Sequence, residues 1–192
     1  MADVKVKTWI ALFRGINVGG KHRLPMTSLV ALIEALGGTR VKTCIQSGNA
    51  VFSCANTTAA ALSRRIEGSV LAKHGFAPRV LVLTREELER AVSANPFPQA
   101  VSAPTSLHLA FLADRPENPD FARLNALKCR GEAYALEGKL FFLHTPGGFG
   151  QSKLAAGYEK LLGVAATARN WNTVKKVLDL AKRPVNGQQV CP

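Results

Sequence analysis

Apolar positions along the chain switch between a period near two and a period near 3.6, and the switches mark out its elements. An alternating stretch from Lys5 ends in the run Ile10-Ala11-Leu12-Phe13, which predicts a strand. Leu29, Leu32, Ile33 and Leu36 then recur at helical spacing between Pro25 and Gly37-Gly38, a helix with proline at its start and glycine at its stop. Val41 to Ile45 and Ala50 to Ser53 are short β-branched or apolar runs around Gln46-Ser47-Gly48-Asn49, the composition of a tight hairpin. A second helix is predicted from Thr58 to Lys73, with Gly75 as its stop. A strand from Arg79 to Leu83 follows, and the capping box Thr84-Arg85-Glu86-Glu87 opens a third helix.

Prolines between Asn95 and Pro104 break the periodicity, and the same order of elements then returns. Leu107 to Leu112 predicts a strand and Pro119 to Leu127 a short helix. Ala133 to Leu136 and Lys139 to His144 form a hairpin about Glu137-Gly138. Ser152 to Leu162 predicts a helix stopped by Gly163, Ala165 to Arg169 a strand, and Asn172 to Ala181 a last helix. Each half reads β-α-β-β-α-β followed by an extra helix, which predicts an α+β fold made by tandem duplication of a ferredoxin-like unit. The first repeat is expected over 1–98, a linker over 99–106 and the second repeat over 107–192, the two packed as one compact unit. In such a sheet the first and second strands run the same way, so Arg14 to Gly20 and Gln46 to Asn49 should emerge at one edge. By the same parity Thr145 to Lys153 should approach Arg169 to Thr173.

These loops hold the candidate chemistry. Gly15, Gly19 and Gly20 permit left-handed backbone and close approach, and Asn17 can close a turn with its side chain. Arg14 precedes this loop and Lys21-His22-Arg23 follows it, so it reads either as a plain strand-to-helix turn or as an anion cradle. Its G-x-x-x-G-G spacing is not that of a dinucleotide-binding loop. Gln46, Ser47, Gly48 and Asn49 form the neighbouring amide-rich turn. Ser152 and Lys153 lie at a helix start behind Gly147-Gly148-Phe149-Gly150, where unpaired N–H groups attract anions. The order Ser-Lys does not make a Walker A loop, and Ser152 reads as a cap. Arg169, Asn170, Trp171, Asn172 and Thr173 are the densest polar cluster. Asn172 or Thr173 is expected to cap the last helix, and Trp171 reads as a core plug or, if exposed, a base-stacking platform.

Composition narrows the classes. With 192 residues, 47% hydrophobic and 20% charged, the chain is long enough to bury a sizeable core. Cys44, Cys54, Cys129 and Cys191 show neither disulfide nor zinc spacing, and no apolar run has signal-peptide or membrane-spanning character. A reduced, cytoplasmic protein with no membrane partner, no metal and no cofactor is expected. The net charge of +12 is uneven: residues 1–81 hold eleven Lys/Arg against three acids, residues 82–150 seven against eight, and residues 151–192 seven against two. The excess lies with the amide-rich loops, which points to an anionic partner, with a merely solubilising, repulsive surface as the equal alternative.

Ala11 to Lys21, Gln46 to Phe52 and Ala166 to Val174 together resemble the bacterial domain of unknown function (DUF) family 1697, a likeness running from about Lys7 to Ala181. Gly150-Gln151-Ser152-Lys153-Leu154 is similar to the family's segment before the penultimate helix. The resemblance implies a cytosolic bacterial protein of unassigned activity and no cofactor or catalytic residue. Three functional readings follow. The first is a protein that binds a nucleic acid or phosphorylated metabolite through Arg14, Lys21, Lys153 and Arg169 with the amides of Asn17, Gln46, Asn49, Asn170 and Asn172. The second is an enzyme on a phosphorylated or carboxylated substrate, with His22 or His144 moving protons. The third makes the polar clusters structural, buried and mutually satisfied. Oligomeric state is open.

Overall fold

The computed structural model describes residues 6–45 and 48–183, so Gln46 and Ser47 of the expected site lie outside the described residues. In the first half β1 (Val6–Arg14), α1 (Met26–Ala35), β2 (Thr39–Thr43), β3 (Asn49–Ala55), α2 (Ala59–His74) and β4 (Arg79–Thr84) are followed by α3 (Arg85–Ser93). The second half repeats this as β5 (Leu107–Leu112), α4 (Phe121–Leu127), β6 (Ala133–Glu137), β7 (Leu140–His144), α5 (Lys153–Leu162), β8 (Ala166–Asn170) and α6 (Trp171–Lys182). The sheets have strand orders β2-β3-β1-β4 and β6-β7-β5-β8, every pairing antiparallel. The two orders are one topology, consistent with a duplicated ferredoxin-like unit in an α+β fold.

Local chemistry sets the ends of the helices. Thr58 caps α2 by accepting from Ala61 N at 3.2 Å, and Gly75 ends it with a φ of 75°. Both halves of the capping box at α3 are made: Glu87 N donates to Thr84 Oγ1 at 3.2 Å and Thr84 N to Glu87 Oε2 at 2.7 Å. Asp120 caps α4 and Ser152 caps α5.

Strand alternation divides the first sheet into two buried faces. Trp9, Ala11 and Phe13 of β1, with Ala50 and Phe52 of β3, meet Leu29 and Ile33 of α1 and Leu62, Ile66 and Val70 of α2. Each of the large aliphatic and Phe side chains among them contributes roughly 1.5–3 kcal/mol by leaving water. Ile10, Leu12, Val51 and Leu83, on the opposite face, are buried as well. This double burial explains why the middle of β1 is a continuous apolar run. In the second sheet Ala110, Leu112, Phe141 and Leu143 pack with Leu124, Leu154, Tyr158 and Leu162, and the Phe141 and Tyr158 rings stack at 5.2 Å.

By proximity the chain divides into two compact units, Met1–Arg90 with Lys176–Pro192, and Ala91–Lys175. The end of α6, expected with the second repeat, is grouped with the first unit, where Leu180 and Ala181 share a cleft with Thr8, Val51 and Ser53. Among the described residues no helix is long and apolar enough to cross a membrane. Cys44 and Cys54 are both buried.

Candidate functional site

Three segments meet at one edge of the first sheet, as strand parity requires: the β1–α1 loop, the β2–β3 hairpin, and the residues entering β4. The β1–α1 loop is itself a miniature hairpin. Asn17 N donates to His22 O at 3.1 Å and Lys21 N to Val18 O at 3.2 Å, with Gly19 and Gly20 between them at φ 59° and 74°. Positive φ at both central positions is what a type I′ turn needs. Buried Ile16 and Leu24 anchor its two ends. The Asn17 side chain clamps them, Nδ2 donating to Leu24 O at 2.9 Å and Oδ1 accepting from Leu24 N at 2.8 Å.

The described ends of the neighbouring hairpin are hydrogen-bonded as well. Phe13 N donates to Gly48 O at 2.8 Å, and Asn49, wholly buried, donates through Nδ2 to Cys44 O at 2.9 Å. Gly48 has a φ of 82°, and a Cβ there would lie 2.6 Å from both Ile16 Cδ1 and Phe13 Cβ. Only glycine therefore lets the two loops touch. Thus Asn17 and Asn49 are used by the fold, as the structural reading expects of the amides.

The cations are placed differently. Arg14, Lys21 and Arg23 are exposed, and so is Arg79, which lies directly across from Arg14 in the β1–β4 register. Residues 14–25, 44–49 and 75–79 contain no Asp or Glu. Like charges directly opposite on antiparallel strands repel, so this edge concentrates positive potential. Nothing in the sequence around Arg79 marks it as a site residue, because only the strand register sets it opposite Arg14. His22 stacks on Phe76 at 4.8 Å, and its Nδ1 is 3.1 Å from Gly15 O. A carbonyl can only accept, so Nδ1 carries the proton in that contact.

In the second unit the loop after β7 and the end of β8 share the edge where β5 begins, with Leu107 paired to His144 and His108 to Asn170. Thr145 is buried and bonds through N to Ser106 O at 2.7 Å. Ser152 is buried and accepts from Ala155 N at 3.0 Å, leaving Lys153 exposed at the first position of α5. The His108 ring stacks on Phe149 at 4.0 Å, and burial pushes its pKa down to about 4. It is neutral at physiological pH.

Three expectations for the last cluster need correction or narrowing. The cap of α6 is Asn170, not Asn172 or Thr173: its Oδ1 accepts from Thr173 N at 2.9 Å and from Thr173 Oγ1 at 3.0 Å, because β8 runs straight into the helix. Trp171 is only 3% exposed, so it is a core plug and not a stacking platform. Arg169 pairs with Leu109 across the strands, so it faces the side of the sheet opposite His108 and Asn170. Its Nη1 donates to Ala168 O at 2.8 Å, and burial lowers its pKa to about 10, still charged at neutral pH. His144 is half-buried with Phe97 at 6.0 Å. Among the described residues no three His, Cys, Asp or Glu side chains are grouped to hold a metal.

The model of a family described as protein of unknown function, DUF1697, matches residues 6–142. A conserved bacterial protein from Streptococcus pneumoniae has a similar solved structure, with a TM-score of 0.63 and 25% identity over 93% of this chain and 100% of that one. A comparison with curated proteins returns no match.

Proposed function

This chain belongs to the DUF1697 family of proteins of unknown function, and from that premise we propose that it binds an anionic ligand at the loop edge of its first sheet. The observation that supports the reading is the cross-strand pair of Arg14 and Arg79, flanked by Lys21 and Arg23 in segments without a carboxylate. The protein sustains this repulsion at an exposed edge braced from beneath by Asn17, Asn49 and Gly48. Outward cations on this hydrogen-bonded edge fit an extended row of phosphates, since each neutralised phosphate releases a counterion. A nucleic acid is therefore the favoured ligand, and a phosphorylated metabolite the alternative within the same chemistry.

The test is fluorescence anisotropy of a labelled short DNA duplex titrated with the full chain. Four phosphate contacts predict a slope of log affinity against log salt of about −3.6, and Arg79→Ala flattens it by about 0.9. No binding at about 50 mM salt removes the nucleic-acid reading. Binding that Arg14→Ala and Arg79→Ala leave unchanged removes this edge as the site.

A further inference from the structure

At the other end of the first sheet, on the face carrying Ile10 and Val51, an open cleft lies beside the end of α6. Thr8, Arg40, Lys42, Val51, Phe52, Ser53, Leu180, Ala181 and Arg183 line it. Five of these nine carry the polar chemistry: three cations and two hydroxyls, with no acid. The register explains how they meet. Thr8 and Ser53 are direct cross-strand partners, and Lys42 pairs with Val51, so all three project from one face. The β2–β3 pairing shifts between Thr39 and Lys42, and Arg40 sits in that irregularity with a φ of 58°. Left-handed backbone at a non-glycine residue is costly, and such bulges re-aim side chains at functional positions.

Lys42 is 8% exposed. Its stem is packed against the sheet while the residue lines the cleft, where an anion is the natural counterpart of its ammonium. The lining supplies none. Asp179 of α6 and Glu89 of α3 are outside it, and Glu89 lies 4.0 Å from Lys182. The carbonyl end of α6 offers the cations about half a negative charge, which leaves an excess of about two and a half.

We propose that this cleft is a binding site for a phosphate group, held by Arg40, Lys42 and Arg183 with hydroxyl donors from Thr8 and Ser53. The apolar wall of Val51, Leu180 and Ala181 lowers the local dielectric and strengthens each contact. Three cations and two hydroxyls converging on one small cleft suit a free phosphate or the phosphorylated end of a small molecule. This site is separate from the loop edge of the preceding section: along β1, Thr8 and Arg14 are six residues apart, about 20 Å.

The experiment is amide NMR of the full chain titrated with sodium phosphate against sodium chloride at matched ionic strength. The expected result is saturable movement of the Thr8, Lys42 and Ser53 amides with phosphate only. Arg183→Gln, at the exposed helix end, and Lys42→Met, which keeps the buried stem, should each weaken binding about tenfold, the loss of one charge-assisted bond. Arg115→Gln, an exposed arginine of the second unit, should change nothing. If Lys42→Met does not fold, Arg183→Gln decides alone. Movement confined to Gly19–Lys21 would overturn this site while supporting the loop edge. Equal responses to phosphate and chloride, or affinity unchanged in Arg183→Gln, would also overturn it.

Discussion

Gly48→Ala tests whether the candidate edge is braced by direct contact between its two loops. At φ 82° an alanine is left-handed, which costs about 1–2 kcal/mol. Its methyl would stand 2.6 Å from Phe13 Cβ and from Ile16 Cδ1 and 2.9 Å from Ile16 Cγ1. Phe13 Cβ is tied to the strand and cannot swing away, so forced repacking adds about 1–3 kcal/mol. The expected loss is about 2–5 kcal/mol, or a fall of roughly 4–20 °C in Tm at about 2–4 °C per kcal/mol for a chain of this size. Gly19→Ala is the internal standard. Its φ is 59° and nothing lies within 4 Å of an added Cβ, so it pays the backbone cost alone, about 1–2 kcal/mol. The difference between the two variants, followed by circular dichroism through thermal and urea unfolding, isolates the contact. Adding Ile16→Val to Gly48→Ala removes Cδ1 and should make the double variant lose less than the sum of the singles. Equal losses at Gly48 and Gly19, or strict additivity with Ile16→Val, would refute the argument that the loops abut.

Other expectations are more local. Asn170→Ala should cost about 1 kcal/mol by removing the α6 cap, whereas Asn172→Ala should stay within about 0.5 kcal/mol. Urea midpoints that rank the two the other way would return the cap to Asn172. His108 has a folded pKa of about 4 against an ordinary 6.5, so the unfolded chain takes up its proton first as the pH falls. Its contribution to stability is complete above pH 6.5 and is lost between pH 6.5 and about 4. His108→Phe keeps a ring on Phe149 and abolishes the titration. Its Tm relative to wild type should therefore rise as the pH is lowered through that window, and a constant difference would contradict the burial argument.

The order of elements, their duplication and the meeting of the β1–α1 loop with the β2–β3 hairpin were all readable from the chain alone. Each depends on neighbours in sequence: apolar periods, Gly75 and Gly163 as stops, the Thr84 box, and the parity of strand directions. Sequence also located the basic, acid-free loop around Gly15 to Gly20. What only the tertiary structure decided was facing and register. Arg79 opposite Arg14, Arg169 turned away from His108 and Asn170, Trp171 buried, and Arg40, Lys42 and Arg183 gathered at one cleft all depend on which distant residues pair. A shift of one residue in a strand reverses every side chain it carries, and a single bulge between Thr39 and Lys42 redirects an arginine. Those choices are made by the packing of the faces of each sheet, a cooperative property that no local run of residues contains.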